Sequence, residues 1–267
     1  MSNTILIGQY LETHSVFHRL DPRTKILGIF IIMLSFLTLE TVASYAIASI
    51  FVSGVLFLSK VPLKVFGRGL KPLLFILMFT CIYNVLSTKG TIIWSWSFIE
   101  VTQQGIENGV RFVVRIILLV LLASVLTLTT KPLELASGLE KLLTPLSKIK
   151  VPVEQFSLMI VIAIRFIPTI LQELDRILLA QKARGYDMSS LSLPKRIYSY
   201  IPILIPLLFT TIQRAEQLTY AIDARAFGKG KGRTQYKQLQ IQQIDYIVGA
   251  FAFLFVLTMV LIKIGGV

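Results

Sequence analysis

Charge is scarce in this chain: 15% of its 267 residues are Asp, Glu, Lys or Arg, against about 25% in soluble domains. Cysteine occurs once, as Cys81, and histidine twice, as His14 and His18. That excludes a disulfide framework and leaves a Cys- or His-built metal site short of ligands. His14 and His18 stand four apart with no acid placed between them as in a zinc peptidase, so they read as membrane-surface residues. Acids number only 14, and the closest pair on a charged segment, Glu173 and Asp175, is two apart and shares no helix face. Glu216 and Asp223 are the other acids on such a segment, and no carboxylate-dyad chemistry is expected. A Walker A loop is also missing. The nearest stretch, Gly228-Lys229-Gly230-Lys231-Gly232-Arg233-Thr234, has the wrong spacing and reads as a basic linker against anionic headgroups. The chain is therefore expected to be no enzyme, to need no cofactor and to hold no metal. Its first residues, MSNTILIGQYLETHS, lack the basic, apolar, small-residue order of a cleaved signal peptide.

What is present is apolar: 54% hydrophobic residues and a mean hydropathy of +0.73. A crossing needs about 20 mostly apolar residues, and five stretches qualify or nearly so: 26–39, 42–59, 72–88, 110–129 and 244–264. Five crossings put the termini on opposite sides. Lys60, Lys64, Arg68 and Lys71 stand with no acid among them, which places residues 60–71 in the cytoplasm. The N-terminus then lies inside and the loop at 89–108 outside, with Trp94 and Trp96 suited to the interface. The net charge of +13 belongs entirely to the predicted inside segments, 1–25, 60–71 and 130–243. It is a positive-inside signature, and no nucleic-acid partner is needed to explain it. Arg111 and Arg115, four apart, line one helix face near the outer interface, where they read as anchors. The alternative is contact with acids elsewhere in an assembly.

Residues 130–243 are different. They hold 16 basic and 8 acidic residues, yet contain apolar runs at 161–171 and 198–212, interrupted by Arg165, Pro168, Pro202 and Pro206. Neither run is a clean span, and long amphipathic helices on or just beneath the cytoplasmic face are expected; a further hairpin through the membrane is the alternative. The two runs echo each other. A shift of 41 residues lays Ala183-Arg184-Gly185-Tyr186 over Ala224-Arg225-Ala226-Phe227, with Gln172 over Gln213 and Asp175 over Glu216. Each half reads as a helix of roughly 30 residues, about 45 Å long, ending in Ala-Arg-small-aromatic. Gly185 and Gly228 serve as stops, with a turn at Pro194. An Arg between small residues lets a helix end enter a narrow groove and pair with a carboxylate or with carbonyls. Two such ends suggest two similar grooves on a partner.

These paired Ala-Arg-small ends, the run His18-Arg19-Leu20-Asp21-Pro22-Arg23-Thr24-Lys25 and the run Arg165-Phe166-Ile167-Pro168 resemble the transmembrane T components of energy-coupling factor (ECF) transporters. That family includes the permease subunit associated with cobalt uptake. The likeness runs from about Ser15 to Gly228 and, through the last span, nearly to the end; Ala226 departs from the Gly of the first motif. It implies an all-α integral membrane protein with about five transmembrane helices plus long cytoplasmic coupling helices. Residues 1–129 would form an N-terminal membrane region, 130–243 the coupling-helix region and 244–267 a C-terminal span. The resemblance further implies two ABC ATPase subunits as partners, one docked by Ala183, Arg184 and Gly185, the other by Ala224, Arg225 and Ala226. A membrane-embedded substrate-binding S component would rest on Leu171, Leu178, Leu204, Leu208 and Ile212. The chain would be the non-catalytic coupling subunit of a vitamin or metal importer in a prokaryotic cell membrane. The competing class is a self-sufficient secondary transporter or membrane enzyme with a cytoplasmic site. Against a secondary transporter stands the lack of acids in the spans; residues 26–59 hold only Glu40, at a hairpin tip.

Overall fold

The computed structural model describes residues 10, 11, 13, 15–96, 99–185, 198, 200–226 and 240–265. They form helices almost throughout: α1 (Val16–Arg19), α2 (Pro22–Phe36), α3 (Val42–Ser59), α4 (Leu63–Ser87), a hairpin of β1 (Ile92–Trp96) and β2 (Ile99–Thr102), α5 (Gln103–Thr129), α6 (Pro132–Leu143), a 3-10 turn (Thr144–Ile149), α7 (Val153–Ala183), α8 (Ile201–Ala224) and α9 (Gln243–Gly265). The chain is an all-α membrane protein, and five of its described helices are long and apolar enough to cross a bilayer: α3, α4, α5, α7 and α9.

Five crossings were expected, but the membership differs. The stretch at 26–39 folds as α2, whose 15 residues rise about 22 Å, short of a hydrocarbon core of about 30 Å. The fifth candidate is instead α7, which runs for 31 residues straight through Pro168. The missing proline N–H forfeits one bond, to the Ile164 carbonyl, and the remaining turns carry the helix on. Residues 161–171 are thus the middle of one long helix. α4 starts at Leu63 and α5 at Gln103, each earlier than hydropathy alone indicates: the head of α4 holds Lys64, Arg68 and Lys71, good helix formers despite their polarity, and Thr102 caps α5 by accepting from the Gly105 N–H at 3.1 Å.

By contacts the chain divides into residues 1–154 with 239–267, and residues 155–238. The core of the first unit joins α2, α3, α5 and α9. Phe36, Leu122, Ala48 and Val52 are fully buried there, with Phe255 and Met259 from α9. Phe255 stacks on Phe51 at 3.9 Å between centroids and meets Phe36 edge-on at 6.2 Å. α4 packs along α5, and the approach is close because Gly105 and Gly109 face it. A Cβ on Gly105 would stand 2.8 Å from the Val85 carbonyl oxygen, and one on Gly109 3.3 Å from that of Cys81. This is a small-xxx-small seam, the usual route to tight helix pairing in a bilayer.

The Asp21-Pro22-Arg23-Thr24-Lys25 run ties this unit together at one end. Asp21 caps α2 by accepting from the Arg23 N–H at 2.9 Å, and Pro22 occupies the first helical position, where its missing N–H costs nothing. The Asp21 N–H donates to Asp245 Oδ1 at 2.8 Å, and Asp245 Oδ2 accepts from the Gln242 N–H at 2.7 Å, so one buried carboxylate joins α9 to the start of α2. Lys25, just ahead of the apolar run of α2, donates to the Thr129 carbonyl and to Thr130 Oγ1 at 3.3 and 3.1 Å. Burial pushes its ammonium down to about 8, against the partial opposition of Glu134, Asp245 and Asp21.

The two arginines of α5 have local partners. Arg111 pairs with Glu107 one turn earlier. Arg115 donates to the Leu39 carbonyl and lies 5.9 Å from the centre of the Tyr45 ring. Together those contacts fasten α5 to the turn between α2 and α3.

Candidate functional site

The second unit contains the two helices that end in the repeated Ala-Arg-small sequence. α7 ends at Ala183, and Arg184 and Gly185 form the closing turn. The Arg184 N–H bonds the Ala180 and Gln181 carbonyls, and the Gly185 N–H bonds that of Lys182 at 3.0 Å. α8 ends at Ala224 with Arg225 as its cap; the Ala226 N–H bonds the Asp223 carbonyl at 2.9 Å. The residue after each Arg has positive φ, +82° at Gly185 and +51° at Ala226. Both helices therefore terminate in a left-handed turn, the standard way to stop a helix cleanly. Gly185 adopts this conformation without strain, whereas Ala226 does so at a cost. The second helix ends at Ala224, and its left-handed turn at Ala226 comes two residues before the Gly228 expected to end it. Gly228, the linker to Thr234, Tyr186, Phe227 and Pro194 lie outside the described residues.

α7 and α8 touch at two points. Arg214 Nη2 donates to Glu173 Oε2 at 3.3 Å, and Gln181 Nε2 donates to the Pro202 carbonyl at 3.2 Å. Residue numbers rise along α7 while they fall along α8, so the helices run antiparallel. Glu173 and Arg214 are 41 residues apart, the same shift that aligns the two halves. Equivalent positions of the repeat thus meet each other at this contact. Each Arg end lies 11 residues beyond that contact, in opposite directions. At 1.5 Å per residue each end lies about 16 Å from it along its own helix.

Glu173 is mostly shielded, with its side chain 17% exposed, and Arg176 also reaches it at 3.5 Å from the next turn of α7. One acid between two guanidinium groups is favourably paired, and in partial contact with solvent the Arg214 bond is worth about 1 kcal/mol or less. Sequence reading weighed Glu173 only as a dyad partner of Asp175. The usable signal was the register: the 41-residue shift sets Glu173 over Arg214, opposite charges at equivalent positions.

Arg184 and Arg225 are both exposed, as are Ala183, Gly185, Ala224 and Ala226. Of the five apolar face residues, Leu204, Leu208 and Ile212 are 58%, 61% and 47% exposed and lie one turn apart in a row on α8. Leu171 and Leu178 on α7 are half-buried. His18 is held by Ser15 Oγ at 2.7 Å and by the Leu11 carbonyl at 2.9 Å, with Tyr10 edge-on. No group of three His, Cys, Asp or Glu residues suited to a metal ion exists among the described residues.

The family described as cobalt transport protein, CbiQ, matches residues 13–236. Among curated proteins, the energy-coupling factor transporter transmembrane protein EcfT of Ruminiclostridium cellulolyticum is 41% identical over 263 residues, covering 98% of each chain. That of Bacillus subtilis is 40% identical over 240 residues, 90% of this chain and 91% of its own. That of Acidaminococcus fermentans is 41% identical over 249 residues, 93% of each.

Proposed function

The chain belongs to the T-component family of ECF transporters, and from that premise we propose that it couples two ATPase subunits to a substrate-binding S component in the same membrane. The observation that carries the proposal is the pair of equivalent, exposed Arg ends disposed about one Glu173–Arg214 contact. A duplicated surface suits a partner that is itself a pair of like subunits. Arg184, with Ala183 and Gly185, seats one ATPase; Arg225, with Ala224 and Ala226, seats the other. Each guanidinium enters a groove with little bulk beside it and pairs there with a carboxylate or with carbonyl oxygens.

Both Arg ends and the N-terminus lie in the cytoplasm in this reading, with short α2 crossing a locally thinned bilayer and α7 lying along the interface, in keeping with the basic excess of residues 60–71 and 130–243. Residues 1–129 and 244–267 supply membrane spans, and 130–243 the coupling region, interfacial in its apolar stretches. The exposed row Leu204, Leu208 and Ile212, with Leu171 and Leu178, forms the apolar platform on which the S component rests. ATP binding closes the ATPase pair and displaces the two seated ends relative to each other. α7 and α8 are continuous helices, so that displacement reaches the platform and reorients the S component, which carries the vitamin or metal. The chain itself performs no hydrolysis and does not select the substrate.

Charge reversal tests the docking. Arg184→Glu and Arg225→Glu are each expected to weaken ATPase co-purification and to lower uptake, and the double variant to abolish both. Retention of assembly and uptake by the double variant overturns the assignment.

A further inference from the structure

α4 presents a face that the coupling function leaves unused. At about 100° per residue, Phe66 and Leu77 point to the α5 side of the helix, and both are buried. Lys64, Arg68 and Lys71 fall on the opposite side within an arc of about 60°, and Phe75, Met78 and Ile82 continue the same strip. All three cations are exposed. Phe75, Met78 and Ile82 are 74%, 60% and 50% exposed. No ion pair holds any of the three cations among the described residues. The strip is therefore basic over its first two turns and apolar over the next three.

We propose that this strip is a binding site for an anionic phospholipid, its phosphate held by Lys64, Arg68 and Lys71 and its acyl chains laid along Phe75, Met78 and Ile82. The dimensions fit. From Lys71 to Ile82 the helix rises about 16 Å, the depth of one leaflet of a core about 30 Å thick. The Lys and Arg stems reach outward along the helix and keep their charges at headgroup level. Residues 60–71 contain four cations and no acid, and each cation beside an anionic surface favours binding roughly fivefold. A protein partner suits the strip less well, because lysine is depleted from protein–protein interfaces. The inference rests on α4 being a membrane span and is independent of ATPase docking.

The test is native mass spectrometry of the full chain titrated with phosphatidylglycerol and, separately, phosphatidylcholine. Wild-type protein is expected to prefer phosphatidylglycerol. The triple variant Lys64→Gln, Arg68→Gln, Lys71→Gln is expected to lose that preference at least fivefold, and Arg68→Gln alone at least twofold, should the triple variant fail to accumulate. A charge-matched control, Lys141→Gln, Lys148→Gln, Lys150→Gln, is expected to keep it. Equal binding of the two lipids by wild type, or equal loss in the control, overturns the proposal. So does a photo-crosslinker at Phe75 that labels a protein chain and not lipid in the assembled transporter.

Discussion

The left-handed turns after Arg184 and Arg225 make a quantitative prediction, because one is filled by Gly and the other by Ala. A side chain in the left-handed region costs about 1–2 kcal/mol. Replacing Gly by Ala returns about 0.4–1 kcal/mol by restricting the unfolded chain, so the net cost at such a turn is about 1 kcal/mol. At Gly185 nothing lies within 4 Å of an added Cβ, so the whole effect of Gly185→Ala is conformational. Ala226→Gly has the opposite sign, since Ala226 already bears the cost at φ +51°. Each kcal/mol is about fivefold in a local opening equilibrium, and amide exchange reads that equilibrium. The reporting amides are Gly185, bonded to Lys182, and Ala226, bonded to Asp223. Gly185→Ala is expected to speed exchange at the end of α7 about fivefold, and Ala226→Gly to slow it at the end of α8 by a similar factor. Unchanged rates, or changes of the same sign at both ends, refute the reasoning. Gly185→Asn separates conformation from bulk, because Asn tolerates the left-handed region but fills the space beside Arg184. Preserved exchange with lost ATPase binding is the expected pattern if that space receives a partner.

Other consequences follow from the packing and the charges. Gly105→Val is expected to separate α4 from α5 and destabilise the protein by several kcal/mol, because the added carbons meet backbone oxygens at 2.8 Å and 3.0 Å that cannot retreat; a fall in the thermal midpoint in detergent checks it. The Glu173–Arg214 contact predicts a coupling energy of about 0.5–1 kcal/mol in a double-mutant cycle with Glu173→Gln and Arg214→Gln, and additivity contradicts it. Lys25 has a folded pKa of about 8 against an ordinary 10.5, so burial penalises the folded state in full below pH 8, where the group is charged folded and unfolded alike. Stability relative to Lys25→Met is expected to rise between pH 8 and 10.5, by at most about 3 kcal/mol.

Much of this was visible in the residues, for physical reasons. Runs such as Val42–Ser59 declare themselves because eighteen uncharged residues have few other places to go. The paired Arg ends were legible because duplication repeats them with their neighbours intact. The length of α7 was legible too, because the repeat predicts a helix of roughly 30 residues despite Pro168; its qualification as a span was not, since Arg165 and Pro168 interrupt the apolar run. The head of α4 was hidden because hydropathy registers Lys64, Arg68 and Lys71 as an end, whereas helix propensity does not. Gly105 and Gly109 passed unnoticed because two glycines mark a seam only when the facing helix is known. The left-handed turn at Ala226 gave no signal at all, alanine being the residue least expected there. Even the Glu173–Arg214 pair needed two observations together, the 41-residue register and an antiparallel crossing.

The central claim is that the two Arg ends are seated separately and move when ATP binds. Spin labels at Ala183 and Ala224, in the transporter assembled with its ATPases and S component, measure this directly by pulsed electron resonance. The account predicts a resting separation that shifts on ATP binding and returns after hydrolysis. A separation that stays the same with and without ATP, in a complex that still transports, contradicts it.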